Sequence, residues 1–216
     1  NRTVALRKAL DGMVETQRLL REAHIESICC LVAAAEYKDS DTAFHIQRMS
    51  HISSLLAKKL RLPPGDVELI HHASPMHDIG KIGTPEKILQ KPGKLTTNEF
   101  QIIKQHALLG SQILTKSNSD IMRIGMQIAL THHEKWDGSG YPNGLAGEDI
   151  SIFGRICAVA DVFDALTHER PYKKAYSIEA SLKIIQDGAG KHFDPELVDI
   201  FSKNIDEVLR IQPVRN

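Results

Sequence analysis

The sequence predicts an all-α protein, a single helical bundle with a long helix at its N-terminus. Three observations predict it. Helical runs follow one another with Pro and Gly as punctuation. No run alternates with period two for long enough to make a strand. Aromatic residues are only 5% of the chain, which suits an all-helical core.

The elements follow in order. Residues 2–36 contain no Pro and one Gly, and read as one long helix. Leu6, Leu10, Met13, Gln17, Leu20 and His24 approximate a coiled-coil stripe with polar breaks at Gln17 and His24. Two readings stay open. The helix packs on its own domain, or it is a signalling or dimerising linker, the latter giving a homodimer through residues 2–36. We divide the chain into an N-terminal linker or signalling helix, 1–36, and a bundle domain, 37–216. The segment 37–42 is a polar break, with Thr42 as a candidate N-cap. Further helices are expected over 43–61, 66–78, 97–115, 120–133, 153–168, 177–188 and 195–210. Asp66 after Pro63-Pro64-Gly65, Thr97 before Asn98-Glu99, and Ser177 before Ile178-Glu179 mark starts. The least helical stretches, 79–96 and 134–152, are rich in Gly and Pro, and each follows a histidine motif. Loops set on rigid helices are where chemistry tends to sit.

Composition bounds the function. With 216 residues the chain is long enough for a sizeable buried core. Lys plus Arg number 27 and Asp plus Glu 27, so the formal charge is zero. That excludes a broad basic field for DNA or an anionic membrane. Three cysteines without a C-x-x-C pair indicate neither a disulfide scaffold nor a thiolate zinc site, and a reduced, cytoplasmic setting is expected. No stretch of 18 apolar residues occurs, so no membrane span is expected. The chain opens in mid-pattern without Met and reads as a fragment of something longer. Histidine is the outlier, at 11 residues.

Several histidines and acids sit at helix ends or on helix faces. His77-Asp78 precedes Gly80. Asp41 and His45 are four apart and share a face. His106 is mid-helix, His132-His133 closes another helix, and Asp161 lies in an otherwise apolar run, where a carboxylate needs a partner. Mixed nitrogen and oxygen donors of this kind suit Mn, Fe, Zn or Ni better than Ca or Mg. Eight such donors are too many for one ion and would serve two or three. A lone His106 or His45 reads equally as a hydrogen-bonded core histidine, and Asp161 as a buried hydrogen-bonded acid. His24, His51, His71, His72, His168 and His192 read as structural or exposed.

His77-Asp78-Ile79-Gly80-Lys81, followed by His132-His133-Glu134-Lys135-Trp136-Asp137-Gly138-Ser139-Gly140-Tyr141-Pro142, resembles the HD-GYP phosphodiesterase family, a branch of the HD phosphohydrolases. The resemblance covers about residues 37–205. The motifs HDIGK, IKQH, HHEKWDGSGYP and ADVFDALTHERPYKKA stand in the family's order.

The resemblance implies an HD-type helical bundle that hydrolyses cyclic di-GMP to linear pGpG, or onward to GMP, with a metal-bridging hydroxide. It implies His45, His77, Asp78, His106, His132, His133 and Asp161 as metal ligands. Asp41 stands where some members hold a third metal, and Asp39 matches a family acid near the metals. The cofactor expected is two or three divalent ions, Fe or Mn first, with Ni, Zn or Co as alternatives. Lys81 is expected to contact the phosphate as a point charge. Asp164, one turn after Asp161, is a candidate to orient or deprotonate the bridging water. Arg170 and Lys173 are expected to contact phosphates or guanines, and Tyr141 to stack on or hydrogen-bond the ligand. Lys81, Asp164 and Asp39 make up the catalytic set. The partners implied are an N-terminal receiver or sensor module and a diguanylate cyclase at the Gly-Tyr-Pro loop. The rival readings are a non-hydrolysing dinucleotide sensor and an HD hydrolase acting on another cyclic or linear dinucleotide.

Overall fold

The computed structural model describes residues 2–36, 43–169 and 174–211. Among them the elements are α1 (Arg2–Glu36), α2 (Ala43–Lys59), α3 (Pro64–Ala73), a 3-10 helix (Ser74–Gly83), α4 (Glu86–Leu89), α5 (Thr97–Leu114), α6 (Asp120–Thr131), a 3-10 turn (Gly147–Asp149), α7 (Ile152–Thr167), α8 (Ile178–Asp187), α9 (Pro195–Lys203) and α10 (Ile205–Leu209). The fold is all-α. No strand occurs among the described residues, where pairing of that kind is limited to isolated bridges, Asp137 with Ala146 and Ala189 with Phe193. No helix of the described residues is long and apolar enough to cross a membrane.

Local chemistry explains the starts. At α5, the Thr96 hydroxyl accepts from the Glu99 amide and the Glu99 carboxylate accepts from the Thr96 amide. This reciprocal pair satisfies two amides that the first turn leaves orphaned. Ser177 caps α8 by accepting from the Ala180 amide at 3.2 Å. Asp194 does the same for α9 toward Glu196, with Pro195 in the first turn, where its missing N–H costs nothing.

Two expected helices differ. The one expected over 66–78 ends at Ala73, and His77 and Asp78 ride on the 3-10 helix. Pro75 accounts for this, since it lacks an N–H for the preceding turn and its ring crowds the carbonyl four residues back. The helix expected over 195–210 divides at Asn204, whose backbone (φ −115°, ψ 19°) leaves the helical region. The stretch 79–96, expected to be least helical, holds the end of the 3-10 helix and α4.

The core gathers around α7. Ile156, Val159, Ala160 and Phe163 pack with Met49 and Leu56 of α2, Ile128 of α6, and Leu197 and Phe201 of α9. Each of these buried side chains larger than alanine contributes roughly 1.5–3 kcal/mol. The 3-10 helix is wedged against α1, α5 and α6. Gly80 makes the wedge close. A Cβ there would lie 2.0 Å from the His106 carbonyl oxygen and 2.5 Å from the Gly110 nitrogen.

The long N-terminal helix divides in two. Ile28, Val32 and Ala35 are buried in the core, so the last turns of α1 are not detached from the bundle. Leu6, Leu10, Met13 and Leu20 are each more than 60% exposed, and an apolar stripe that open is unusual on a helix packed along its whole length.

Candidate metal centre

The structure brings seven of the expected residues together. Asp78, His106, His132 and His133 each place one donor atom within 4.8 Å of the others. His45, His77 and Asp161 form a second group by the same measure. Asp78 joins the two, with Oδ2 3.1 Å from His77 Nε2 and Oδ1 3.2 Å from His106 Nε2.

The imidazoles are held in one orientation. His77 Nδ1 donates to the Ser74 carbonyl at 3.0 Å and His106 Nδ1 to the Ile103 carbonyl at 2.7 Å. His132 Nδ1 donates to the Ile128 and Ala129 carbonyls at 3.0 and 3.1 Å. A carbonyl only accepts, so each Nδ1 carries the proton and each Nε2 offers a lone pair. His45 differs, because its Nδ1 donates to Asp164 Oδ2 at 2.7 Å. Arg48 grips the same carboxylate through Nε at 2.5 Å and a terminal nitrogen at 2.9 Å.

These donors fit a divalent metal. His106 Nε2 and His132 Nε2 stand 3.3 Å apart, and two lone pairs facing at that distance repel without a cation near them. His45 Nε2 and Asp78 Oδ1 are buried with no hydrogen-bond partner. Each such atom costs about 1–3 kcal/mol if nothing satisfies it. Neutral imidazole with carboxylate is the donor set of Mn, Fe, Zn or Ni.

The electrostatics agree. Burial holds His132 below the ordinary histidine range, and burial with the neighbouring His132 pushes His133 well below it. Burial would raise Asp78, but Lys81, with Nζ 2.7 Å from Oδ2, and His77 outweigh it and keep the carboxyl well below its usual range. For His45, burial favours the neutral ring, yet the bond to Asp164 and the charge of Asp161 raise it. His132 and His133 are thus held neutral beside an ionised Asp78, the states a cation needs.

Asp164, a candidate to act on water, is placed otherwise. Both its oxygens are engaged, by Arg48 and by His45, so its contacts are those of a residue that orients His45. Arg48 is a residue the sequence reading missed. Its position three residues after His45 was the available signal, since the two share a helix face. Glu134 was missed as well. It is buried and accepts from the Asn143 and Leu145 amides at 2.7 and 3.1 Å, which folds the Gly-Tyr-Pro loop back on itself. Gly140 permits that fold, because a Cβ would lie 2.3 Å from the Lys135 nitrogen. The loop lays Tyr141 against His133, with ring centroids 4.7 Å apart.

Asp39, Asp41, Arg170 and Lys173 lie outside the described residues. The other histidines stand apart from the cluster. His51, His71 and His72 gather between α2 and α3, with neighbouring ring centroids 5.2 and 4.9 Å apart. His168 lies beside Asp164, His192 stacks on Phe193, and His24 is exposed on α1.

Helices that gather histidines and aspartates around an adjacent His-Asp pair define a class of helical metal-binding domain. The HD-domain family model matches residues 28–197, and the chain belongs to that family, in the HD-GYP branch whose motifs it carries. It is 48% identical over 169 residues to a cyclic di-GMP phosphodiesterase of Thermotoga maritima, covering 78% of this chain and 46% of that protein. It is 45% identical over 189 residues to the cyclic di-GMP phosphodiesterase response regulator RpfG of Xanthomonas campestris pv. campestris, covering 85% of this chain and 50% of that one. The chain therefore spans half or less of these curated relatives. In fold it is similar to a crystal structure of a cyclic GMP-AMP specific phosphodiesterase of V. cholerae, with a TM-score of 0.64, 19% identity, and coverage of 88% of this chain and 54% of that one.

Proposed function

We propose that this domain is a metal-dependent phosphodiesterase that hydrolyses cyclic di-GMP to linear pGpG, or onward to GMP. One observation carries the reading: imidazole Nε2 atoms with fixed tautomers converge with Asp78 and Asp161 in two adjoining groups. The first group would hold one divalent ion through Asp78, His106, His132 and His133. The second would hold another through His45, His77 and Asp161. When bound, such a pair lowers the pKa of water and neutralises phosphate charge. Asp41 and Asp39 are the candidates for a third ion and a nearby acid, and Fe or Mn is the favoured metal, ahead of Ni, Zn or Co.

The chain's own residues do the rest. Lys81 keeps Asp78 ionised and sets a positive charge at the rim of the cluster, where a phosphate oxygen would come. Tyr141 presents a ring beside His133 against which a base can lie. Arg170 and Lys173 are proposed to meet the remaining phosphate or guanine edges. The Arg48–Asp164 pair keeps His45 turned toward its group.

Anaerobically metal-loaded protein should convert cyclic di-GMP to pGpG, followed by chromatography. Turnover that survives His77→Ala, or its absence with both Fe(II) and Mn(II), overturns the reading. Tight binding without turnover would support the sensor instead, and a panel of other dinucleotides separates the third reading. The exposed stripe of α1 supports a parallel homodimer, since Glu15, Arg18 and Glu22 pair with one another off that stripe. Leu10→Glu with Leu20→Glu should leave a monomer in sedimentation, and a monomer before the change refutes it. A receiver or sensor module ahead of α1 and a diguanylate cyclase at the Gly-Tyr-Pro loop complete the proposal.

A further inference from the structure

A row of rings leads outward from the candidate metal centre, and the metal chemistry does not use it. Tyr141 lies stacked on His133. Phe100 of α5 stands next to Tyr141, with centroids 6.3 Å apart and planes at 80°. One turn further along α5, the Lys104 ammonium sits 5.3 Å from the Phe100 centroid and 5.4 Å from the Tyr141 centroid. Phe100 is 46% exposed. A single exposed ring is ordinary on a protein surface. This one is continuous with a site that must receive a ligand, and it shares a cation with a second ring.

A cyclic dinucleotide held by one phosphate at the ligand groups must lay a base outside them. Any base can stack on an aromatic face. The bases differ at their edges. Guanine offers O6 and N7 as acceptors, whereas adenine puts an amino donor where O6 would be. An ammonium only donates, so it can bridge O6 and N7 of guanine, but on adenine it meets N7 alone and is opposed by the amino group. We propose that Phe100 and Lys104, beside Tyr141, form a guanine subsite. Phe100 is the stacking surface, and Lys104 selects guanine over adenine. The proposal rests on the phosphodiesterase reading and deepens it by naming what sets the base.

The test uses the whole metal-loaded chain with Phe100→Ala, Phe100→Leu and Lys104→Ala. The substrates are cyclic di-GMP, its all-adenine counterpart, and bis(p-nitrophenyl) phosphate, which has no purine. Phe100→Ala should raise KM for cyclic di-GMP about fivefold or more while kcat changes little. Phe100→Leu, which keeps apolar bulk without the π-face, should show most of that rise. Lys104→Ala should reduce the guanine-over-adenine ratio of kcat/KM by about fivefold or more. If bis(p-nitrophenyl) phosphate is cleaved but these values do not move, the subsite is wrong and the phosphodiesterase reading stands. If no phosphodiester is cleaved, that reading fails, and calorimetry with GMP and AMP still decides the subsite. GMP should bind more tightly than AMP, with the difference lost in Lys104→Ala. Equal affinities in the unaltered protein overturn it.

Discussion

The two candidate metal groups differ in how one histidine, His45, is held; His77 of the same group is fixed locally by the Ser74 carbonyl. Around Asp78, His106 and His132 are held by carbonyls three or four residues back on their own helices. His45, in the other group, is held by Asp164, 119 residues away, and Asp164 is held in turn by Arg48. The first arrangement exists as soon as the helix forms. The second exists only when α2 and α7 are packed together. The orientation of His45 is therefore exposed to distant substitutions in a way that those of His77, His106 and His132 are not.

The largest effect should come where the groups meet. Asp78→Ala removes the carboxylate shared by both, so metal content should fall at both and turnover should drop to the background of the assay. Retention of one ion per chain would show that the groups are independent. Gly80→Ala should be next. Its new Cβ would strike backbone of His106 and Gly110 and force the 3-10 helix off α5, at a cost of about 1–3 kcal/mol or more. Chemical denaturation measures that cost, and metal titration should show both groups weakened, because His77 and Asp78 ride on the displaced segment.

Arg48→Ala and Asp164→Asn sharpen the comparison further. Each should weaken metal at the His45 group about 10–100-fold while the Asp78 group keeps its ion, as read by chelator competition. Equal loss at both groups would break the distinction. The smallest effect tests local encoding on α5, the helix that carries His106. Lys91 and the Thr96 amide pull the Glu99 carboxyl down from an ordinary 4.5 to about 2. A lowered carboxylate stabilises the fold above its ordinary value, and that contribution is lost as pH falls through the folded value. Glu99→Gln should therefore be slightly less stable than the unaltered protein at neutral pH, and the gap should close between about 4.5 and about 2. A gap that does not change with pH would assign the cap's contribution to geometry alone.

What could be read in advance follows the same division. The helix starts at Thr97 and Ser177 were legible to within a residue, because capping is a matter of neighbouring side chains and amides. Pro75 was legible too, although the helix expected over 66–78 runs through it. The clustered histidines stood out as motifs in order, whereas nothing nearby in the chain says that Asp164 has its oxygens occupied. Arg48 and His45 lie 116 and 119 residues from it. Glu134 was hidden differently, since its partners are main-chain amides of a loop whose path the residue types do not specify.

By itself the sequence determined the all-α class, the HD-GYP family and the residues able to bind metal. Periodicity, caps and motif order are properties of short stretches. Tertiary structure alone decided which donors share a group, which carboxylate is engaged by His45 and Arg48, and that Phe100 and Lys104 stand beside Tyr141. The physical reason is reach. A hydrogen bond or ring contact acts over a few ångströms, and only the packing of α2, α5 and α7 with the 3-10 helix and the Gly-Tyr-Pro loop brings those distant residues within it.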